Sequence, residues 1–374
     1  MTAKPVAMVD LRGGYLAQQG EIDAAVRRVL DSGWYILGRE CEAFEQAFAS
    51  WSGARDAIGV GNGTDAIVIA LKALGVGAGD VVFTVSHTAV ATVAAIEMAG
   101  AIPLLVDIDP ETFTLDPAKL EDAVAACKAG KPRAVIAVHL YGQPCDLGAI
   151  RAVCGRHALF LIEDCAQAHG ATLEGRRVGS FGNAASYSFY PTKNLGAFGD
   201  AGAITTNDGT VAERARALRQ YGWKERYLSD LAGMNTRLDE IHAAMLAVRL
   251  RRLDVEITRR REIAARYDAG LAGVIETPRV RPGAGHAYHL YVVRHPRRDA
   301  LAAALRQAGI GTGIHYPVPV HLQNAYRSRI ALGPSGLPET ERASQEVLSL
   351  PMHPFLCEAD ADRVAAEVVR WTKA

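Results

Sequence analysis

Between residues 55 and 206, short runs that are apolar throughout alternate with longer stretches of helical spacing. The runs are 57–60, 81–85, 102–107, 134–139, 158–162, 185–189 and 202–206. Between most of them lie Ala-rich segments, 64–74, 89–99, 117–129 and 147–156, whose apolar positions recur with helical period. Strands apolar on both faces and separated by helices predict a mostly parallel, seven-stranded sheet covered by helices on both sides, an α/β fold. Ligands of such sheets bind beyond the carboxyl ends of the strands. The loops after Val60 and Val85 and the carboxylate of Asp164 fall there.

A further helical pattern, 238–271, carries arginines at 249, 251, 252, 259, 260 and 261. It reads as a solvated helix face leading into a second unit. A strand at 289–294, a helix at 299–308, a Gly-rich turn and a final helix at 359–371 complete a smaller C-terminal α+β domain. The expected division is 1–248 for the large domain and 249–374 for the small one.

Composition narrows the function. A chain of 374 residues supports two domains with proper cores. Its 41 basic and 41 acidic residues balance without blocks of like charge, which argues against nucleic acid as a partner. The first ten residues contain no apolar signal core. The most apolar stretch, 88–106, is interrupted by Glu97, Gly100 and Pro103 and reads as helix, turn and strand, so no membrane partner is expected. Six scattered cysteines lack metal-ligand spacing and read as reduced thiols of a cytoplasmic protein without a metal site. Cys165 reads as a small core residue.

The chemistry concentrates in Ser186-Tyr-Ser188-Phe-Tyr190-Pro-Thr-Lys193-Asn-Leu-Gly196-Ala-Phe-Gly199-Asp-Ala-Gly202. A lysine stands between a β-like run and a loop with three glycines, which let backbone pass close to a bulky ligand. Upstream, the apolar run before Glu163-Asp164-Cys-Ala-Gln167 ends on a carboxylate. A Schiff-base lysine and an acid for a pyridine nitrogen are the minimal protein equipment for pyridoxal phosphate chemistry. In Val60-Gly61-Asn-Gly63-Thr64-Asp65 a strand ends, glycines turn the chain and Thr64 opens a helix. The free N–H groups of such a helix favour a phosphate, although an ordinary Thr N-cap accounts for the same pattern. Ser188 could supply a second hydroxyl. Gln167, three residues after Asp164, could donate to the cofactor's phenolic oxygen. The imidazole of His87, after the second strand, could stack on its ring, or be an ordinary core histidine.

Taken together, Gly61-Asn-Gly-Thr-Asp-Ala66, Asp107-Ile-Asp-Pro110, His139-Leu-Tyr-Gly-Gln143, Glu163-Asp-Cys-Ala-Gln-Ala-His-Gly170, the Lys193 segment, Gly233-Met-Asn235-Thr-Arg237-Leu-Asp239 and Gly311-Thr-Gly-Ile-His315-Tyr316-Pro-Val-Pro319 resemble the DegT/DnrJ/EryC1/StrS family. Its members are pyridoxal-phosphate-dependent aminotransferases of the aspartate aminotransferase fold that act on nucleotide-linked keto-sugars. The resemblance runs over nearly the whole chain in the family's order.

It implies Lys193 as the Schiff-base lysine, Asp164 as the pyridinium partner, Gln167 at the ring oxygen and His87 on the ring face. Phosphate contacts would come from Gly63, Thr64, Asp65 and Ser188, and from Asn235 of a second subunit in a homodimer whose sites lie at the interface. Tyr35, Tyr190, Arg237, His315 and Tyr316 would line the substrate mouth, with Trp34 and the segment Tyr221-Gly-Trp223-Lys224 beside them. Relatives that deoxygenate sugars carry histidine at the lysine position, whereas this chain keeps Lys193. The Lys193 and glycine pattern is more similar to members acting at the sugar's C3. The implied reaction moves an amino group from L-glutamate to a dTDP-linked 3-keto-6-deoxyhexose. The alternatives are the same chemistry at C4 or on a UDP-linked N-acetylated or uronic keto-sugar, and a regulatory protein that binds cofactor or nucleotide-sugar without turnover.

Overall fold

A computed structural model describes residues 4–374; residues 1–3, the outer end of the N-terminal segment discussed above, lie outside it. The large sheet is built from β1 (Asp56–Val60), β2 (Asp80–Val85), β3 (Ile102–Val106), β4 (Lys131–Val138), β5 (Phe160–Asp164), β6 (Ala184–Ser188), β7 (Gly202–Thr206) and the two-residue β8 (Ala331–Leu332). Their order across the sheet is β1-β7-β6-β5-β4-β2-β3-β8. β7 runs antiparallel to both its neighbours and the remaining pairs are parallel. The seven strands expected from the apolar runs are all present. The eighth comes from the C-terminal third, where two residues carry no periodic signal.

Short polar residues start the intervening helices. Asp116 caps Pro117–Ala125, Asp146 caps Leu147–Arg156 and Asp208 caps Gly209–Leu218, each accepting backbone N–H groups of the first turn. The main core lies around the sheet, with Ile58, Val81, Phe83, Ile136, Ile162, Tyr187 and Ile204 fully buried.

The helical pattern at 238–271 is two helices, Glu240–Leu250 and Leu253–Leu271, broken at Arg251 and Arg252. The break follows from two separate destinations. The first helix packs Ala244, Met245 and Val248 against Ile22, Ala25 and Val29 of the helix Gln19–Ser32. The second sends Ile263, Tyr267 and Leu271 into a smaller core with Tyr291, Leu301, Leu350 and Val364. That core is organised by the antiparallel pair Tyr291–Arg294 and Val347–Leu350, with helices Arg298–Gln307 and Glu358–Thr372. The two cores do not divide the chain at a single point. Val6 belongs to the smaller core, while β8 joins the large sheet and Asp107 accepts the N–H groups of Glu339 and Thr340. Among the described residues no helix is long and apolar enough to cross a membrane.

Candidate active site

Because β1, β2, β5 and β6 share one direction, their carboxyl ends deliver Val60, Val85, Asp164 and Ser188 to one end of the sheet. After β1 the Gly61 N–H donates to Thr236 Oγ1 at 2.9 Å. Asn62 then caps the helix Gly63–Ala73, its Oδ1 accepting the Asp65 N–H at 2.8 Å. Three backbones converge tightly at this turn. A Cβ on Gly63 would lie 2.6 Å from Ser188 Cβ, and one on Gly202 would lie 2.5 Å from the Asn62 carbonyl. The glycines therefore bring the helix N-terminus against the end of β6, and Thr64 and Ser188 line one cavity of about 610 Å³.

Asp164 lies in that cavity's wall. Its Oδ2 accepts the Thr92 hydroxyl at 2.9 Å and its Oδ1 the Ala166 N–H at 3.1 Å. Burial raises its pKa, opposed by the Ala166 and Thr92 donors and the Lys193 charge. Lys193 shares the cavity, and burial lowers its pKa to about 8 despite the attraction of Asp164. Gln167 is pinned at both ends. Its Oε1 accepts the Tyr141 N–H at 2.7 Å and its Nε2 donates to Tyr316 Oη at 3.0 Å, leaving one amide N–H for a ligand. The His315 ring is held through Nδ1 by Ser349 Oγ at 2.8 Å.

The cavity thus gathers Gly63, Thr64, Asp65 and Ser188 at the helix end, Asp164, Gln167 and Lys193 in the middle, and Tyr190, His315 and Tyr316 along the remaining wall. Four sequence-predicted residues are not among its lining side chains. Tyr35 and Asn235 are exposed and Arg237 is half-buried, all in a neighbouring patch. His87 is the fourth. It is fully buried, its Nε2 is 2.8 Å from Tyr141 Oη, and burial lowers its pKa to about 4. Ala89 and Ala91 line the wall. Sequence reading also missed Thr92, Asp200 and His289. Thr92 meets Asp164 across 72 positions of chain, a contact no local pattern could signal.

One buried group of potential metal ligands exists among the described residues: His139, Glu163 and Cys165. The Glu163 carboxylate already accepts N–H groups from Gly179, Phe181 and Gly182 and contacts His139 Nε2 at 3.1 Å. It ties the 179–182 loop to β5. Burial pushes the Cys165 thiol up to about 12, as befits a core residue.

The donor set fits pyridoxal phosphate. A helix N-terminus with two hydroxyls, cleared of side chains by Gly63, suits a phosphate dianion. A buried carboxylate with a raised pKa, one lysine and one amide N–H then meet the demands of the ring.

Comparison with known proteins agrees with this chemistry. The sequence profile of the DegT/DnrJ/EryC1/StrS aminotransferase family matches residues 17–369. Over 363 residues the chain is 48% identical to the erythromycin biosynthesis sensory transduction protein EryC1 of Saccharopolyspora erythraea, covering 96% of this chain and 98% of that protein. It is 45% identical to the dTDP-3-amino-3,4,6-trideoxy-alpha-D-glucose transaminase of Streptomyces venezuelae, covering 98% and 96%. The crystal structure of S. venezuelae DesV in complex with a ketimine intermediate superposes with TM-score 0.95 at 44% identity, covering 100% of both chains.

Proposed function

The chain belongs to the DegT/DnrJ/EryC1/StrS aminotransferase family, and from that membership we propose that it moves an amino group from L-glutamate to a dTDP-linked 3-keto-6-deoxyhexose, with pyridoxal phosphate as cofactor. The observation that carries the reading is the pairing of Lys193 with Asp164 in one cavity that also ends on a helix N-terminus. Bound pyridoxal phosphate supplies an electron sink for the charge left when a proton leaves carbon.

The residues divide the remaining work. Gly63 and Thr64 hold the phosphate through first-turn N–H groups and Thr64 and Ser188 through hydroxyls, with Asp65, its N–H capped by Asn62, beside them. Asp164, oriented by Thr92 and Ala166, keeps a proton on the pyridine nitrogen. Gln167 offers its spare N–H to the ring oxygen. Lys193 Nζ takes the proton from the donor's Cα in the first half-reaction, and delivers one to the sugar carbon that receives nitrogen in the second. A lysine poised near pH 8 suits both directions of proton transfer.

A second copy of the chain would supply Asn235 and Arg237. What supports this is an exposed patch next to the phosphate loop. Ile36 bridges Asp239, Asn235 bridges Gln220, and Thr236 holds Gly61. Trp34, Tyr35, Tyr221 and Tyr227 stand exposed in and beside those segments, more aromatic surface than a lone chain ordinarily leaves in water. The C3 preference rests on the relatives named for 3-amino sugars.

The reading is tested by the visible spectrum of cofactor-loaded protein. L-Glutamate should bleach the cofactor band in the wild type, and Lys193→Ala should abolish turnover while still binding pyridoxamine phosphate. Normal turnover by Lys193→Ala would remove the central assignment. Two relatives bear regulatory names, the EryC1 protein and a pleiotropic regulatory protein of Geobacillus stearothermophilus. A regulator would bind the cofactor and show no change with any amino donor.

A further inference from the structure

An amino acid brings a carboxylate into a cavity whose lining contains Asp65, Asp164 and Asp200, with Lys193 as its one cationic side chain and no arginine among the described residues. That carboxylate needs hydrogen-bond donors from another source. Two imidazoles lie in the same wall. His289 is 8% exposed, and its buried Nδ1 has no partner in the protein. His315 is fixed through Nδ1 by Ser349, which leaves Nε2 for a ligand.

The fold builds His289 beside the lysine. Asn194, next to Lys193 in the chain, donates to the Ala287 carbonyl at 3.0 Å, and Arg260 donates to the Tyr288 carbonyl at 3.1 Å. The residues just before His289 are thus pinned between the lysine loop and a buried guanidinium. Burial lowers the pKa of His289 well below the ordinary imidazole range, with Lys193, Arg260, His315 and His169 adding to the effect. Burial, with the Lys193 charge, lowers His315 to about 4. Both rings are neutral at pH 7, and with hydrogen on His289 Nδ1 and on His315 Nε2, whose Nδ1 then accepts the Ser349 hydroxyl, each offers one N–H to a ligand. A donor must bring its nitrogen to the position of Lys193 Nζ, which places its carboxylate, one carbon away, in the cavity that His289 and His315 also line.

We propose that His289, together with His315, binds the α-carboxylate of the amino donor, in place of an arginine within the chain. The inference rests on the aminotransfer reading and names the donor subsite of that same cavity.

The test uses protein reconstituted with pyridoxal phosphate and titrated with L-glutamate, followed by the cofactor band. Succinate serves as an unreactive carboxylate probe. His289→Leu, which removes the donor, should weaken both by about tenfold to a hundredfold, the loss expected for a hydrogen bond to a charged group. In protein carrying the amine form of the cofactor, the rate with the keto-sugar should fall at least tenfold less than glutamate affinity does. His289→Asn, whose amide N–H stands where Nδ1 stood, should recover part of the binding. Unchanged glutamate and succinate affinity in both His289→Leu and His315→Leu overturns the proposal. So does a loss confined to Arg237→Ala, which would put the carboxylate on a second subunit. Equal loss of both half-reactions with loss of cofactor would make His289 structural and also overturn it. A wild type inert to glutamate and keto-sugar alike would instead defeat the aminotransfer reading itself.

Discussion

Lys193 shows how a single side chain takes its chemistry from its surroundings. Free in solution it would hold its proton to about pH 10.4, but burial brings it to about 8. In cofactor-free protein this has a consequence for folding. Between the two values the unfolded chain binds more protons than the folded one, so stability rises with pH across that window. Below pH 8 both states hold the proton and the cost of burying it is fully present. Urea midpoints taken across the window should climb with pH in the wild type, and Lys193→Met should flatten that climb. An identical slope in the variant would mean that Lys193 titrates as an ordinary exposed amine. Asp164 and His87 mark the limits of reading residues singly. The position of Asp164 at a strand end was evident in the chain, but its Thr92 partner was not. His87 followed a strand as expected, yet it turns inward to Tyr141 and leaves the cavity wall to alanines.

Among the elements, the helix Arg39–Ser52 begins at Gly38, which offers no side-chain cap. Glu240, the first residue of another helix, caps it from outside. Its Oε1 accepts the N–H groups of Gly38 at 2.7 Å and Cys41 at 2.9 Å, and its Oε2 that of Glu40 at 3.0 Å. The Glu240 N–H in turn donates to the Tyr35 carbonyl at 3.2 Å. One buried carboxylate therefore clasps the segment bearing Trp34 and Tyr35 to the one bearing Asn235 and Arg237. Glu240→Ala strands three backbone donors and should cost roughly 2 kcal/mol or more in urea denaturation. A loss under ~0.5 kcal/mol would mean that water replaces the clasp without penalty. The helices Gln19–Ser32 and Arg39–Ser52 precede the strand–helix alternation, and they bury Ile22, Ala25 and Val29 and Cys41, Phe44 and Phe48 at helical spacing.

For the whole molecule, the decisive question is whether a second copy of the chain contributes to the site. Asn235 and Arg237 do not line the cavity of their own chain. If a partner supplies them, mixing inactive Lys193→Ala and Asn235→Ala subunits should restore activity through hybrid sites that have one intact set of residues. No recovery despite demonstrated subunit exchange would mean that Asn235 does not act across an interface. Strands β1 to β7 and the helices Gly63–Ala73 and Leu147–Arg156 were legible in the chain because alternation of apolar runs and helical spacing is local, and so is the turn chemistry of Gly61 to Asp65. The family was legible for the same reason, since its motifs are short contiguous stretches. Only the tertiary structure joined β8 to the sheet, broke the 238–271 helix, set Thr92 on Asp164 and brought His289 beside Lys193. Those contacts link positions far apart in the chain. Packing of whole elements decides them, and no local periodicity records them.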